Sequence, residues 1–178
     1  FIYAFETAAK AFALTDRADL VGKAISILAN KAGIYGMIGG QSVDVEYTDR
    51  PVTKSQLEFI YELKTAALLE AAMMIGAVLA GADDNQVKAA EQIAHHVGMA
   101  FQIRDDILDV ISTTEELGKP VKSDEKNNKT TYVTIYGLDG ASKLVEEYSH
   151  TAMTLLDQVC PNASFLKRLF EYLIVRKK

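Results

Sequence analysis

Only three prolines interrupt this sequence, and no stretch of it alternates apolar and polar residues at the spacing of a strand. Apolar residues recur instead three and four positions apart, the spacing that lines one face of a helix. Leu20, Ala24, Ile27 and Leu28 do so early in the chain, and Leu57, Ile60, Tyr61 and Leu68 do so again beyond Pro51. An all-α fold is therefore expected. With 178 residues, 49% of them hydrophobic, the chain can bury one substantial core, and a single domain is expected. Its net charge of −5 offers no positive field to nucleic acid, so no such partner is expected. The longest apolar stretch, Ala71 to Ala82, is too short for a membrane span, which takes about 20 residues. One cysteine, Cys160, excludes an internal disulfide framework and fits a reducing, cytoplasmic setting.

Punctuation residues divide the helical pattern. Phe1, Ile2, Tyr3 and Phe5 open the chain with no capping residue before them, which places residue 1 inside a helix whose beginning is missing. A second helix is expected from Thr15 or Asp16 to about Tyr47. Gly33, Gly36, Gly39 and Gly40 sit on it three or four apart, where each costs roughly 1 kcal/mol against Ala, so another backbone or a bulky ligand tail is expected to come close. Asp49-Arg50-Pro51 breaks the pattern. Thr53-Lys54-Ser55-Gln56 reads as a capping box that starts a helix to about Ala80, ended by Gly81. Asp83 or Asp84 caps the next helix, which runs to about Ile111. A polar connector spans Ser112 to Lys129. A short helix at Thr131–Tyr136, a turn at Gly137–Gly140 and helices over 141–159 and 164–175 complete the reading.

The residues that can do chemistry cluster around Gln102-Ile103-Arg104-Asp105-Asp106-Ile107-Leu108-Asp109. At about 100° per residue, Asp105 and Asp109 leave a helix along nearly one line, flanked by Asp106 and Gln102. Like charges so spaced repel, and a divalent cation offsets that repulsion. Oxygen donors without cysteine favour Mg²⁺, Mn²⁺ or Ca²⁺ over Zn²⁺. A solvated acidic face accounts for the same spacing. Lys64-Thr65 is the second signal: a lysine among Leu57, Ile60, Tyr61 and Leu68 either snorkels to water or pairs with an anion. The connector is the third, carrying Lys119 after Gly118 and Lys129 before Thr131-Tyr132. Acids to hold a metal and lysines to neutralise oxygens are what a diphosphate requires. No Walker-type or EF-hand pattern is present, and His95 and His96 read as packing or surface residues.

Taken together, Phe101-Gln102-x-x-Asp105-Asp106-x-x-Asp109 resembles the second aspartate-rich motif of the trans-isoprenyl diphosphate synthases. Gly40-Gln41-x-x-Asp44, Lys64-Thr65, Gly118-Lys119 and Asp124…Lys129-x-Thr131-Tyr132 resemble further landmarks of that family, in the same order. The resemblance covers nearly the whole chain and is nearest the bacterial farnesyl and geranylgeranyl diphosphate synthases. It implies an all-α terpenoid-synthase bundle of helices around a central cavity, with the diphosphate held at its mouth. It further implies a Mg²⁺-dependent prenyltransferase that condenses an allylic diphosphate with isopentenyl diphosphate, 1′-4, and usually works as a homodimer. Carried over residue by residue, Asp105 is the principal Mg²⁺ ligand, with Asp106 and Asp109 acting through coordinated water. Lys64, Lys119 and Lys129 contact the allylic diphosphate. Thr65 and Gln102 lie against the reacting carbons, and Gln41 and Asp44 orient the lysines and metal.

Three departures qualify the resemblance. The first aspartate-rich motif and the arginine pair that follows it are absent, so the N-terminal helices of the fold are taken as missing, and this chain alone is expected to turn over little or nothing. Asn128 stands where glycine is common, and Val133 where proline is. The alternative reading is a non-catalytic homologous subunit or an inactive fragment. A terpene cyclase is disfavoured because Asp105–Asp109 lacks the Asn/Asp-Ser/Thr-Glu metal pattern of that family.

Overall fold

The computed structural model describes residues 2–48, 50–112 and 129–175, and every regular element among them is helical. Helix α1 (Ile2–Ala9) runs into a 3₁₀ turn (Lys10–Ala13). Helix α2 (Ala18–Ala32) and helix α3 (Met37–Glu46) follow. Helix α4 (Lys54–Tyr61) passes through a π-helical turn (Glu62–Ala66) into α5 (Ala67–Leu79). The long helices α6 (Asp84–Ile111) and α7 (Tyr132–Val159) lead to α8 (Ser164–Val175).

The start signals act as local chemistry dictates. Thr53 and Gln56 exchange side chain-to-backbone bonds in a capping box, and Asp83 and Gln86 do the same for α6. A third box, Thr131 with Thr134, starts α7. Gly81, at φ 83°, turns the chain out of α5.

One expectation is corrected. The single helix expected over 15–47 is two helices, broken between Ala32 and Met37. At Gly36 the chain folds back so tightly that a Cβ would lie 1.9 Å from the Lys31 carbonyl oxygen, which only glycine permits. The break expected at 137–140 falls at Gly137, whose φ of 71° and ψ of 171° interrupt α7 between the short helical stretch after Thr131 and the long one that follows.

Helix α6 is the axis of the packing, with α5 on one side, α7 on another, and α2 against α5. Leu57, Ile60 and Tyr61 meet Met99, Ile103 and Ile107 of α6 and Tyr132 and Val145 of α7 in one cluster. Ile93 and Val97 meet Ala152, Leu156 and Phe170 in a second, further down α6. The upper cluster underlies the acidic end of α6 and fixes how that helix is rotated.

Candidate diphosphate-binding site

Lys64 and Thr65 lie in the π turn, which no periodicity in the sequence announced. A π turn carries one more residue than an α turn and is common at functional sites. Here the two neighbouring side chains reach different helices. The Lys64 ammonium donates to Asp44 of α3. The Thr65 hydroxyl donates to Gln102 Oε1 of α6 at 2.8 Å. Helix α3 can approach because Gly40 lies directly on the turn: a Cβ there would sit 2.5 Å from the Lys64 amide nitrogen. The close approach expected of the glycines is thus a backbone, at Gly40. Lys129 stands 3.8 Å from the second oxygen of Asp44. Lys64 therefore pairs rather than snorkels, and Asp44 gathers two lysines from chain positions 65 residues apart. Gln41, one turn before Asp44, is half-buried.

The acids of α6 are not a solvated face. Asp106 and Asp109 are only 4% and 3% exposed, and Asp105 is half-buried. Asp106 is turned inward. The Tyr61 hydroxyl donates to its two oxygens at 2.8 and 2.7 Å, and the Tyr132 amide donates at 3.0 Å. Asp106 thereby ties α4 and the start of α7 to α6, just where the motif residues must be aligned. Burial pushes the Tyr132 hydroxyl far up from its ordinary pKa. Among the described residues, no three carboxylate, imidazole or thiol groups converge to hold a metal by themselves. Mg²⁺ does not need that. It keeps several waters and is commonly held by one or two carboxylates plus substrate phosphate, a donor set that Asp105 and Asp109 fit. Lys119 and Asp124 lie outside the described residues.

Sequence reasoning missed a second polar cluster. Glu70 of α5, 7% exposed, accepts from Lys31 of α2, and its other oxygen is 3.1 Å from His95 Nδ1 of α6. Lys31 also reaches Glu91 at 2.5 Å. The bond to Glu70 holds the His95 pKa above its ordinary value, against the effect of burial. Burial works to raise Glu70, but the bonds from His95 and Lys31 outweigh it and hold the carboxyl low. Neighbouring His96 is lowered by burial and by the charge on His95. His95 is thus neither bare packing nor surface. Its partner lies 25 residues away, beyond the reach of any local pattern.

Comparison with known proteins identifies the family. The Polyprenyl synthetase family profile matches residues 2–163. The chain is 38% identical over 152 residues to a farnesyl diphosphate synthase of Geobacillus stearothermophilus, covering 85% of this chain and 51% of that protein. It is 42% identical over 130 residues to a geranylgeranyl diphosphate synthase of Cyanophora paradoxa, covering 72% and 43%. The chain thus spans about half the length of the curated relatives it matches. Among solved structures, a Helicobacter pylori geranyltransferase complexed with magnesium and isoprenyl diphosphate superposes with a TM-score of 0.81 at 31% identity, over 97% of this chain and 56% of that one. The helices share the all-α terpenoid-synthase fold, and the chain belongs to the polyprenyl synthetase family.

Proposed function

We propose that this chain forms one wall of a Mg²⁺-dependent trans-prenyltransferase site, which joins an allylic diphosphate to isopentenyl diphosphate in 1′-4 chain elongation. The observation that carries the reading is a succession of neighbouring groups, linked by chain position and by side-chain bonds. Gln102 lies one turn before Asp105, bonds Thr65, and Thr65 adjoins Lys64, which meets Asp44 and through it Lys129. Metal-ligand, cationic and hydroxyl groups therefore stand within a few side chains of one another.

In this reading Asp105 and Asp109 hold the metal, Asp106 sets the rotation of α6 behind them, and Lys64, Lys119 and Lys129 take the allylic diphosphate oxygens. Mg²⁺, when bound, supplies charge neutralisation for the departing diphosphate. Asp44 and Gln41 keep the lysines extended until the substrate arrives, so little reorganisation is needed as charge develops. Breaking the allylic C1–O bond leaves a cation at C1. Thr65 and Gln102, already bonded to each other, offer oxygen lone pairs toward it. The isopentenyl double bond then forms the new C–C bond, and a proton passes to the released diphosphate. A homodimer belongs to the same proposal, with the exposed Ile2 and Tyr3 of α1 suited to an interface. So does the expectation that this chain alone is inactive, since the acids assigned to the metal here all come from α6.

The decisive experiment is prenyl transfer by the protein expressed from its complete reading frame, with Asp105→Ala and Lys64→Ala alongside. Loss of a charge-assisted contact of about 1.5–3 kcal/mol corresponds to a fall of roughly ten- to hundredfold for Lys64→Ala. Asp105→Ala is expected to abolish the dependence on Mg²⁺ concentration together with the activity. Undiminished transfer by Asp105→Ala would refute the assignment.

A further inference from the structure

Three contacts mark one seam between α6 and the stretch that runs from the π turn into α5. At the top, the Thr65 hydroxyl donates to Gln102. Below it the two segments meet at backbone level: a Cβ on buried Gly98 would lie 2.7 Å from both Cα and Cβ of Ala66. Below that, Glu70 Oε1 lies 3.1 Å from His95 Nδ1. Numbers fall along α6 as they rise along α5, so the segments run antiparallel. His95 precedes Gln102 by two turns, about 10.5 Å, and the two leave α6 within about 20° of each other. Long flexible side chains between these levels would absorb a movement. Here a glycine lies against a fully buried alanine, so a shift of α5 on α6 at His95 is carried to Gln102.

The lowest contact is the one that carries charge. Glu70 also accepts from Lys31 of α2, and Lys31 reaches Glu91 of α6. His96 adjoins on α6, with the Tyr148 ring of α7 against it, and the other α7 residues lining this groove are the uncharged Thr151 and Leu155. Glu70, together with the charge of Glu62 in the π turn, favours the protonated His95 ring against burial and Lys31. Once neutral, the ring offers Glu70 only a weaker bond without charge assistance.

We propose that His95 is a positioning residue: protonated and bonded to Glu70, it sets the spacing of α5 from α6, and through the Gly98–Ala66 contact it keeps Thr65 in register with Gln102. This coupling belongs to the seam itself, and only its effect on prenyl transfer rests on the condensation reading.

The test is a pH titration of this chain by NMR that follows the His95 ring and the Gln102 side-chain amide. The Gln102 resonances are expected to move with the midpoint of the His95 ring. His95→Gln is expected to abolish that movement, and His150→Gln, at an exposed position on α7, to leave it intact. Glu70→Gln separates a movement of the helices from the field of the ring, because the ring still gains and loses its charge there while its anionic partner is gone. The Gln102 movement is expected to be lost in that variant too. A Gln102 amide that does not titrate with His95, that titrates unchanged in His95→Gln, or that keeps its full movement in Glu70→Gln would each overturn the proposal. In the protein expressed from its complete reading frame, kcat for prenyl transfer is expected to fall as pH rises through the same midpoint. His95→Lys, which keeps a cation beside Glu70, is expected to extend the plateau to higher pH, and an alkaline limb identical to that of the wild type would also overturn the proposal. Absence of prenyl transfer with the Gln102 titration intact would count against the condensation reading alone.

Discussion

Tyr61→Phe isolates one bond in the support of the acidic motif. The wild-type hydroxyl reaches both oxygens of a carboxylate that is 4% exposed, from a ring that is 3% exposed. Removing it changes little volume, so the cavity cost is small. What is lost is a hydrogen bond to a buried charged group, about 1.5–3 kcal/mol. For a chain of this size that lowers the thermal midpoint by roughly 3–12 °C. Urea denaturation should show the same loss in its midpoint with an unchanged slope, because the surface exposed on unfolding is the same. Asp106→Ala should cost more, since it removes the acceptor of both the Tyr61 hydroxyl and the Tyr132 amide. In the Tyr61→Phe, Asp106→Ala double variant the two losses should not add, because the bond can be broken only once. A Tyr61→Phe midpoint within about 1 °C of wild type, or strict additivity, would refute the claim that Asp106 is anchored through this hydroxyl.

Gly40→Ala places a methyl carbon 2.5 Å from the Lys64 amide nitrogen, a backbone atom that cannot step aside, and should destabilise by about 1–3 kcal/mol in chemical denaturation. Thr53→Ala removes the cap of α4 and should cost about 1 kcal/mol, with Thr53→Ser restoring most of it. The His95–Glu70 bond makes stability depend on pH in a definite direction. Because the His95 pKa is raised in the folded chain, its contribution is full below the unfolded value of 6.5 and is lost as pH rises through the higher folded value. Glu70 is shifted the opposite way, so its contribution is present above 4.5 and is lost as pH falls through the lower folded value. Urea midpoints of wild type and His95→Gln should therefore differ most between the Glu70 and His95 titrations and converge as pH rises through the raised His95 value, and a gap that widened on the alkaline side would contradict the bond.

The helix starts were legible because a capping box is contained in four residues, as at Thr53 to Gln56 and Asp83 to Gln86. The core stripe of α4 was legible for the same kind of reason: Leu57, Ile60 and Tyr61 repeat at helical spacing and are buried. The break after Ala32 was not, because glycines three apart are as compatible with a helix as with a reversal, and what decides is how near the Lys31 carbonyl comes. The inward turn of Asp106 was likewise hidden, since spacing fixes angles between side chains and not which angle faces the core. Its direction depends on Tyr61, 45 residues earlier, and the Tyr132 amide, 26 residues later. The pairing of Lys31 with Glu70 spans 39 residues and left no trace in local pattern.

The widened turn at Glu62–Ala66 makes the length of this stretch as constrained as its composition. Excising a single residue there would let α4 and α5 join as one straight helix, with every backbone bond still made. Everything beyond the excision would then swing by about 100°. The helix would be no less regular, yet Lys64 and Thr65 could no longer address α3 and α6 at once. In this segment a shorter chain would gain a tidier backbone and forfeit the meeting of three helices.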